Sequence, residues 1–167
     1  IVRRLNRLAG RDILPEASAL TANVGRLPGV DGKAKMSKSQ GNALLLSTSR
    51  EEIHEAVMRM YTDPKRVRAD IPGTVEGNPV FTYHDAFNAS AAEVDDLKAR
   101  YRAGKVGDVE VKAKLAVALN ARLEPIRERR AAVLARPDRL KEILFEGSKR
   151  AAAVAADTME RVKDAVR

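Results

Sequence analysis

The chain has 167 residues, a net charge of +8, and neither cysteine nor tryptophan. Disulfides and cysteine–zinc sites are thereby excluded, a reducing compartment is compatible, and with aromatics at 4% the core is expected mainly from Leu, Val, Ile and Ala. No apolar run approaches the roughly 20 residues of a membrane helix, so no membrane span or signal peptide is expected. The length suits one domain, or one domain plus a fragment. The start at Ile1 lacks a methionine and enters a helical pattern at once, which reads as an internal boundary. The charge is uneven. Residues 1–46 hold eight Lys/Arg against three Asp/Glu, and the other 121 residues hold 23 against 20. Such an excess favours polyphosphate or an RNA backbone.

Ile1, Leu5 and Leu8 share one helical face, and Gly10 is a stop signal. Residues 11–34 carry Pro15, Gly25, Pro28, Gly29 and Gly32 and predict loop with a short strand. Ala43–Leu46 is an apolar run expected to pack. Ser49 followed by Glu52 is a capping box. It opens a helix to about Tyr61, with Ile53, Val57 and Met60 inward. Pro64 closes that region, because a residue before proline disfavours helix. An ordered loop follows over 66–79, where Arg66 and Arg68 are exposed candidates for RNA phosphate. A helix from Val80 carries Phe81 and Phe87 as core. His54 and His84 are read as surface or structural residues, since no nucleophile or ligand cluster accompanies them.

Ser90 and Glu93 repeat the capping pattern and open a helix to about Arg102, closed by Gly104. A long helix from Asp108 places Val111, Leu115, Leu119, Leu123 and Ile126 on one stripe. Pro125 should kink it or end it early, leaving Arg127–Arg130 as a basic turn. Pro137 opens a last helix with Leu140, Leu144, Gly147, Ala151, Val154 and Val162 along one stripe. From residue 49 onward the expectation is an α-helical bundle with short connections.

The most informative stretch is Lys35-Met36-Ser37-Lys38-Ser39, bordered by Gly29, Gly32 and Gly41. It has neither helical nor strand periodicity. Two cations and two hydroxyls on a glycine-bordered loop suit a polyphosphate, since lysine offers three donors and glycine admits close backbone approach. Lys35 and Lys38 are the candidate catalytic cations. No carboxylate cage for a metal is visible.

Residues 35–39 read KMSKS and resemble the second signature of class I aminoacyl-tRNA synthetases. Leu27-Pro28-Gly29-Val30-Asp31-Gly32 and Gln40-Gly41-Asn42 resemble the tryptophanyl/tyrosyl subgroup. Tyr61-Thr62-Asp63-Pro64, Gly77-Asn78-Pro79-Val80-Phe81 and Tyr83-His84-Asp85-Ala86-Phe87 are similar to bacterial tryptophanyl-tRNA synthetases. The resemblance implies the C-terminal portion of such an enzyme. Residues 1–46 would be the end of a Rossmann-type nucleotide-binding domain, and residues 47–167 a helical anticodon-binding domain. The fold class is then mostly α. It implies ATP with Mg²⁺, tryptophan and its tRNA as partners, a homodimer, a cytoplasmic location, and ATP contacts from Arg26, Lys35, Met36, Ser37, Lys38 and Ser39. Gly32 and Gly41 are read as hinges for loop closure, and Arg66, Arg68, Arg127 and Arg130 as candidate phosphate contacts. The other class I signature, an HIGH-type motif, is absent from the sequence, so this segment alone is expected to be inactive. Two alternatives stay open: a tyrosyl-tRNA synthetase segment, and a non-enzymatic helical RNA-binding module in which KMSKS arises by chance.

Overall fold

The structure is a computed structural model that describes residues 1–21, 24–32 and 35–166. The predicted loop residues 22, 23, 33 and 34 lie outside the described set. Six α-helices are present among the described residues: α1 (Val2–Ala9), α2 (Arg50–Met58), α3 (Pro79–Phe87), α4 (Ala91–Arg102), α5 (Asp108–Leu134) and α6 (Pro137–Val166). The chain groups into two compact units, residues 21–130 and residues 1–20 with 131–167.

In the 21–130 unit, α2 to α5 share one core. α2 contributes Ile53 and Val57, α3 Val80, Phe81 and Tyr83, α4 Leu97 and Tyr101, and α5 Val111, Leu115 and Leu119. Each such side chain contributes on the order of 1.5–3 kcal/mol when fully buried. The Tyr101 ring meets Phe81 edge-on at 4.9 Å, a favoured aromatic geometry.

The helix starts follow their caps. Ser49 and Glu52 form the full reciprocal box at α2. Asn78 caps α3 through its side chain, with Pro79 in the first turn. At α4 the box is half made. Ser90 accepts from the Glu93 N–H, but the Glu93 carboxylate turns to Asn88 and Lys114.

His84 is fully buried, with Nε2 3.0 Å from the Val111 carbonyl and Asn88 3.3 Å from Nδ1. A proton on Nε2 satisfies both bonds, which makes it a structural histidine. Lys112, also buried, donates to the Met58 and Met60 carbonyls and the Thr62 hydroxyl. It thereby closes the C-terminal end of α2, whose carbonyls lack partners within the helix.

Several expectations are corrected. No strand occurs among the described residues: the Val30 N–H bonds the Asn42 carbonyl, but one such bond is not the ladder that a strand needs. α2 ends at Met58, short of Tyr61. In the 43–46 run, Leu44 packs on the core while Leu45 and Leu46 are exposed. Pro125 does not end α5, which runs to Leu134 and takes in Arg127–Arg130 as helix. Arg66 is not a surface arginine. Its side chain is 0% exposed and ion-paired to Asp108 at 2.8 Å. It also donates to the carbonyls of Ala69, Ile71 and Val106 and lies 4.0 Å above the Tyr101 ring. Arg127 is half-buried, held by Thr48, Asn120 and Glu124.

In the other unit, α1 ends as expected at Gly10, which takes φ 65°. Asn6 folds residues 12–14 back on α1. Its amide donates to Asp12 and the Leu14 carbonyl and accepts the N–H groups of Ile13 and Leu14. α6 starts at Pro137 as the sequence predicts. Its stripe is exposed, with Leu140, Leu144 and Val154 all open to solvent. No helix among the described residues is long and apolar enough to cross a membrane.

Candidate phosphate-binding loop

The loop belongs to the 21–130 unit and is built onto the helical core from both sides. On the incoming side, the Tyr83 hydroxyl of α3 donates to the Pro28 carbonyl at 2.7 Å. Burial, with Asp31 nearby, pushes the Tyr83 phenol up to about 12, so it stays a donor. Leu27 and Val30 pack against the core. Gly32 turns the chain with φ 80°, and a Cβ there would lie 3.4 Å from the Tyr61 side chain. On the outgoing side, Gly41 takes φ 65° and donates to the Lys38 carbonyl. Residues Lys38–Gln40 form a single 3-10 turn between them. Left-handed conformations of this kind suit glycine at low steric cost.

The predicted site residues are brought together on this short loop, yet they divide into two sets. Lys35, Lys38 and Ser39 are exposed. Met36 points the other way and packs against the helical core. It thereby anchors the middle of the motif. Ser37 is half-buried, and its hydroxyl lies 2.9 Å from that of Ser39. Arg26 is exposed on the incoming segment. A cleft of about 670 Å³ runs between residues 40–48 and α2, lined by Asp31, Asn42, Leu44, Glu52 and Arg59 among others, but neither Lys35 nor Lys38 lines it. The two cations instead stand on an open face.

Asn42, quoted in the sequence only as part of a Gln-Gly-Asn context, is the hub of the loop. It is 2% exposed. Its side-chain oxygen accepts the Ser37 N–H at 2.7 Å, and its amide donates to Asp31 at 3.0 Å and to the Lys35 carbonyl at 3.2 Å. Its own carbonyl accepts the Val30 N–H at 3.0 Å. A Cβ on Gly29 would lie 2.7 Å from Asn42 Cγ, so only glycine leaves room for this amide. The polar asparagine beside a left-handed glycine was the available signal.

Of the arginines proposed for RNA phosphate, Arg68 and Arg130 are exposed, Arg68 pairing with Asp70 at 2.8 Å. Arg66 is buried, and Arg127, half-buried, is held by Thr48, Asn120 and Glu124. Among the described residues, no group of three or more His, Asp or Glu side chains converges as metal ligands.

Residues 1–124 match the family of tRNA synthetases class I (W and Y). The chain is 55% identical over 166 residues to the tryptophan–tRNA ligase of Treponema pallidum, covering 99% of this chain and 49% of that protein. It is 46% identical to the tryptophan–tRNA ligase of Borreliella burgdorferi, covering 99% and 48%. Among solved structures it resembles the tryptophanyl-tRNA synthetase of Campylobacter jejuni, complexed with ADP and tryptophan. The TM-score is 0.72 at 28% identity, over 99% of this chain and 50% of that one. The chain thus spans about half the length of the curated relatives it matches. With KMSKS and its flanking turns inside the matched region, the chain belongs to the class I tryptophanyl/tyrosyl tRNA synthetase family.

Proposed function

We propose that this chain supplies the KMSKS half of the active site and the tRNA-anticodon domain of a tryptophan–tRNA ligase. The observation that carries the reading is the pair Lys35 and Lys38, both exposed on one loop fixed to the core by Met36, Tyr83 and Asn42. ATP supplies the adenylyl group, and Mg²⁺ enters with it. The tryptophan carboxylate attacks the α-phosphorus, the bond to the β-phosphate oxygen breaks, and pyrophosphate departs. The aminoacyl group then passes to the tRNA 3′ end and releases AMP.

Such a step asks for positioning and for charge stabilisation of the polyphosphate. Lys38 neutralises the departing pyrophosphate, and Lys35 assists from the same loop. Ser37 and Ser39 add hydroxyl donors, and Ser39 a backbone N–H, the Ser37 N–H being held by Asn42. Arg26 and the Met36 backbone lie along the nucleotide. Gly32 and Gly41, both left-handed, are the hinges on which the loop closes.

Residues 1–46 serve the nucleotide-binding domain, and residues 47–167 the anticodon domain. Arg68 and Arg130 are its remaining candidates for backbone phosphate, which positions RNA without reading it. The complete protein works as a homodimer in the cytoplasm, with tryptophan-specific tRNA as partner, and this segment alone is inactive. The tyrosyl reading is disfavoured by the tryptophan–tRNA ligase identity of the similar relatives. A chance KMSKS is disfavoured by a family match that runs through the motif. The test is ATP–pyrophosphate exchange by the complete protein carrying Lys38→Ala. Loss of exchange with tryptophan binding retained is expected, and normal exchange overturns the assignment.

A further inference from the structure

We infer that Asn42 is a positioning residue for the reaction, holding the backbone from which Lys35 and Lys38 reach the polyphosphate. The inference rests on the proposed role of the loop. A loop of this size, open to solvent, has many conformations, and only a few place both ammonium groups on one ligand. Ordering it at the moment of binding would weaken affinity and slow the reaction.

Asn42 does the ordering beforehand. The two backbone groups it holds, the Lys35 carbonyl and the Ser37 N–H, flank Met36. Met36 is fixed from its other end by the helical core. The stretch 35–37 is therefore gripped on both sides, and the lysine side chains are directed outward. Asn42 is itself pinned to the incoming limb through the Asp31 carboxylate and the Val30 N–H. One amide thus ties both limbs of the loop and its centre. Only glutamine carries the same groups, and its side chain is one methylene longer. Alanine removes the acceptor and both donors. Aspartate keeps the acceptor for Ser37 but turns a carboxylate oxygen on Asp31 and on the Lys35 carbonyl, where both contacts repel.

The experiment measures ATP–pyrophosphate exchange in the complete protein, with ATP and tryptophan varied separately, for Asn42→Ala, Asn42→Asp and the double variant Asp31→Asn with Asn42→Asp. Lys38→Ala is the reference. Asn42→Ala is expected to lower kcat/KM for ATP by about 10–100-fold, the scale of a misplaced catalytic group, while KM for tryptophan stays within about twofold. Rates are normalised to the folded fraction read by circular dichroism, because a general loss of folding lowers apparent kcat and leaves both KM values unchanged. The double variant restores a donor–acceptor pair between positions 31 and 42, with the donor now on residue 31, and is expected to regain part of the loss seen in Asn42→Asp. That comparison holds even if Asn42→Ala folds poorly. The role is overturned if Asn42→Ala keeps kcat/KM for ATP within about twofold while Lys38→Ala is inactive, or if the double variant equals Asn42→Asp. If Lys38→Ala is itself fully active, the failure lies with the loop's proposed function.

Discussion

Arg66→Met removes the most heavily committed cation of the helical core while keeping its approximate volume. The guanidinium is 0% exposed and paired with Asp108 at 2.8 Å. It donates at 2.7 Å to the Ala69 and Ile71 carbonyls, and also to the Val106 carbonyl. The substitution orphans three carbonyls and one side of a carboxylate. A buried acceptor left without its partner costs on the order of 1–3 kcal/mol, and breaking a buried ion pair from one side about 3–5 kcal/mol. Some carbonyls regain water, so the expected loss is about 3–5 kcal/mol in total. With a urea slope of about 2 kcal/mol/M, the midpoint falls by about 2 M. The assay is urea unfolding followed by circular dichroism at 222 nm, since the chain has no tryptophan to report. Arg68→Met is the control. Arg68 is 75% exposed in its pair with Asp70, and such pairs contribute about 0–1 kcal/mol. Equal stabilities for the two variants would refute the buried placement and return Arg66 to the surface role its sequence suggests.

Ser49→Ala breaks the capping box at α2 and is expected to cost about 1 kcal/mol, read as a lower urea midpoint with an unchanged slope. His84→Gln tests a pH dependence. Burial holds the His84 imidazole below its ordinary value of 6.5. The unfolded chain therefore takes up that proton first, and stability is full above about 6.5 and falls as pH drops below it. The wild-type chain is expected to lose urea midpoint between pH 7.5 and 5.5 more steeply than His84→Gln, and parallel slopes would contradict this.

The helices were legible where the signal is local. Ser49 with Glu52, Gly10 and Pro137 each sit where the backbone needs that residue, and the spacing of Val111, Leu115 and Leu119 declares the buried face of α5. What stayed hidden depends on partners distant in sequence. Nothing near Arg66 reveals that Val106 and Asp108 wait 40 and 42 residues away. Likewise Tyr83 reaches Pro28 across 55 residues. Pro125 misled for an energetic reason. Within a helix it removes one backbone hydrogen bond and crowds the preceding turn, at about 3 kcal/mol. Leu119 and Leu123 in the core, with Ile126 packed against it, offset that cost, and the helix continues.

The site divides in the same way. Lys35 and Lys38 stand out in the sequence through the KMSKS resemblance rather than through their charge alone, and both are exposed on the loop. Their support was not readable. Met36 stands among ligand-binding candidates in the motif, yet its side chain packs on the helical core. Asn42 stands outside the motif, yet it holds the motif's backbone.

The central claim is that the KMSKS loop stabilises the polyphosphate of ATP during tryptophan activation. It is tested most directly by ATP–pyrophosphate exchange in the complete protein, comparing Lys38→Ala with Lys35→Ala and the wild type. Lys38→Ala is expected to lose at least about 100-fold, in the range of a removed charge-stabilising donor. A smaller loss is expected for Lys35→Ala, with tryptophan affinity unchanged in both. An exchange rate for Lys38→Ala equal to that of the wild type would contradict it.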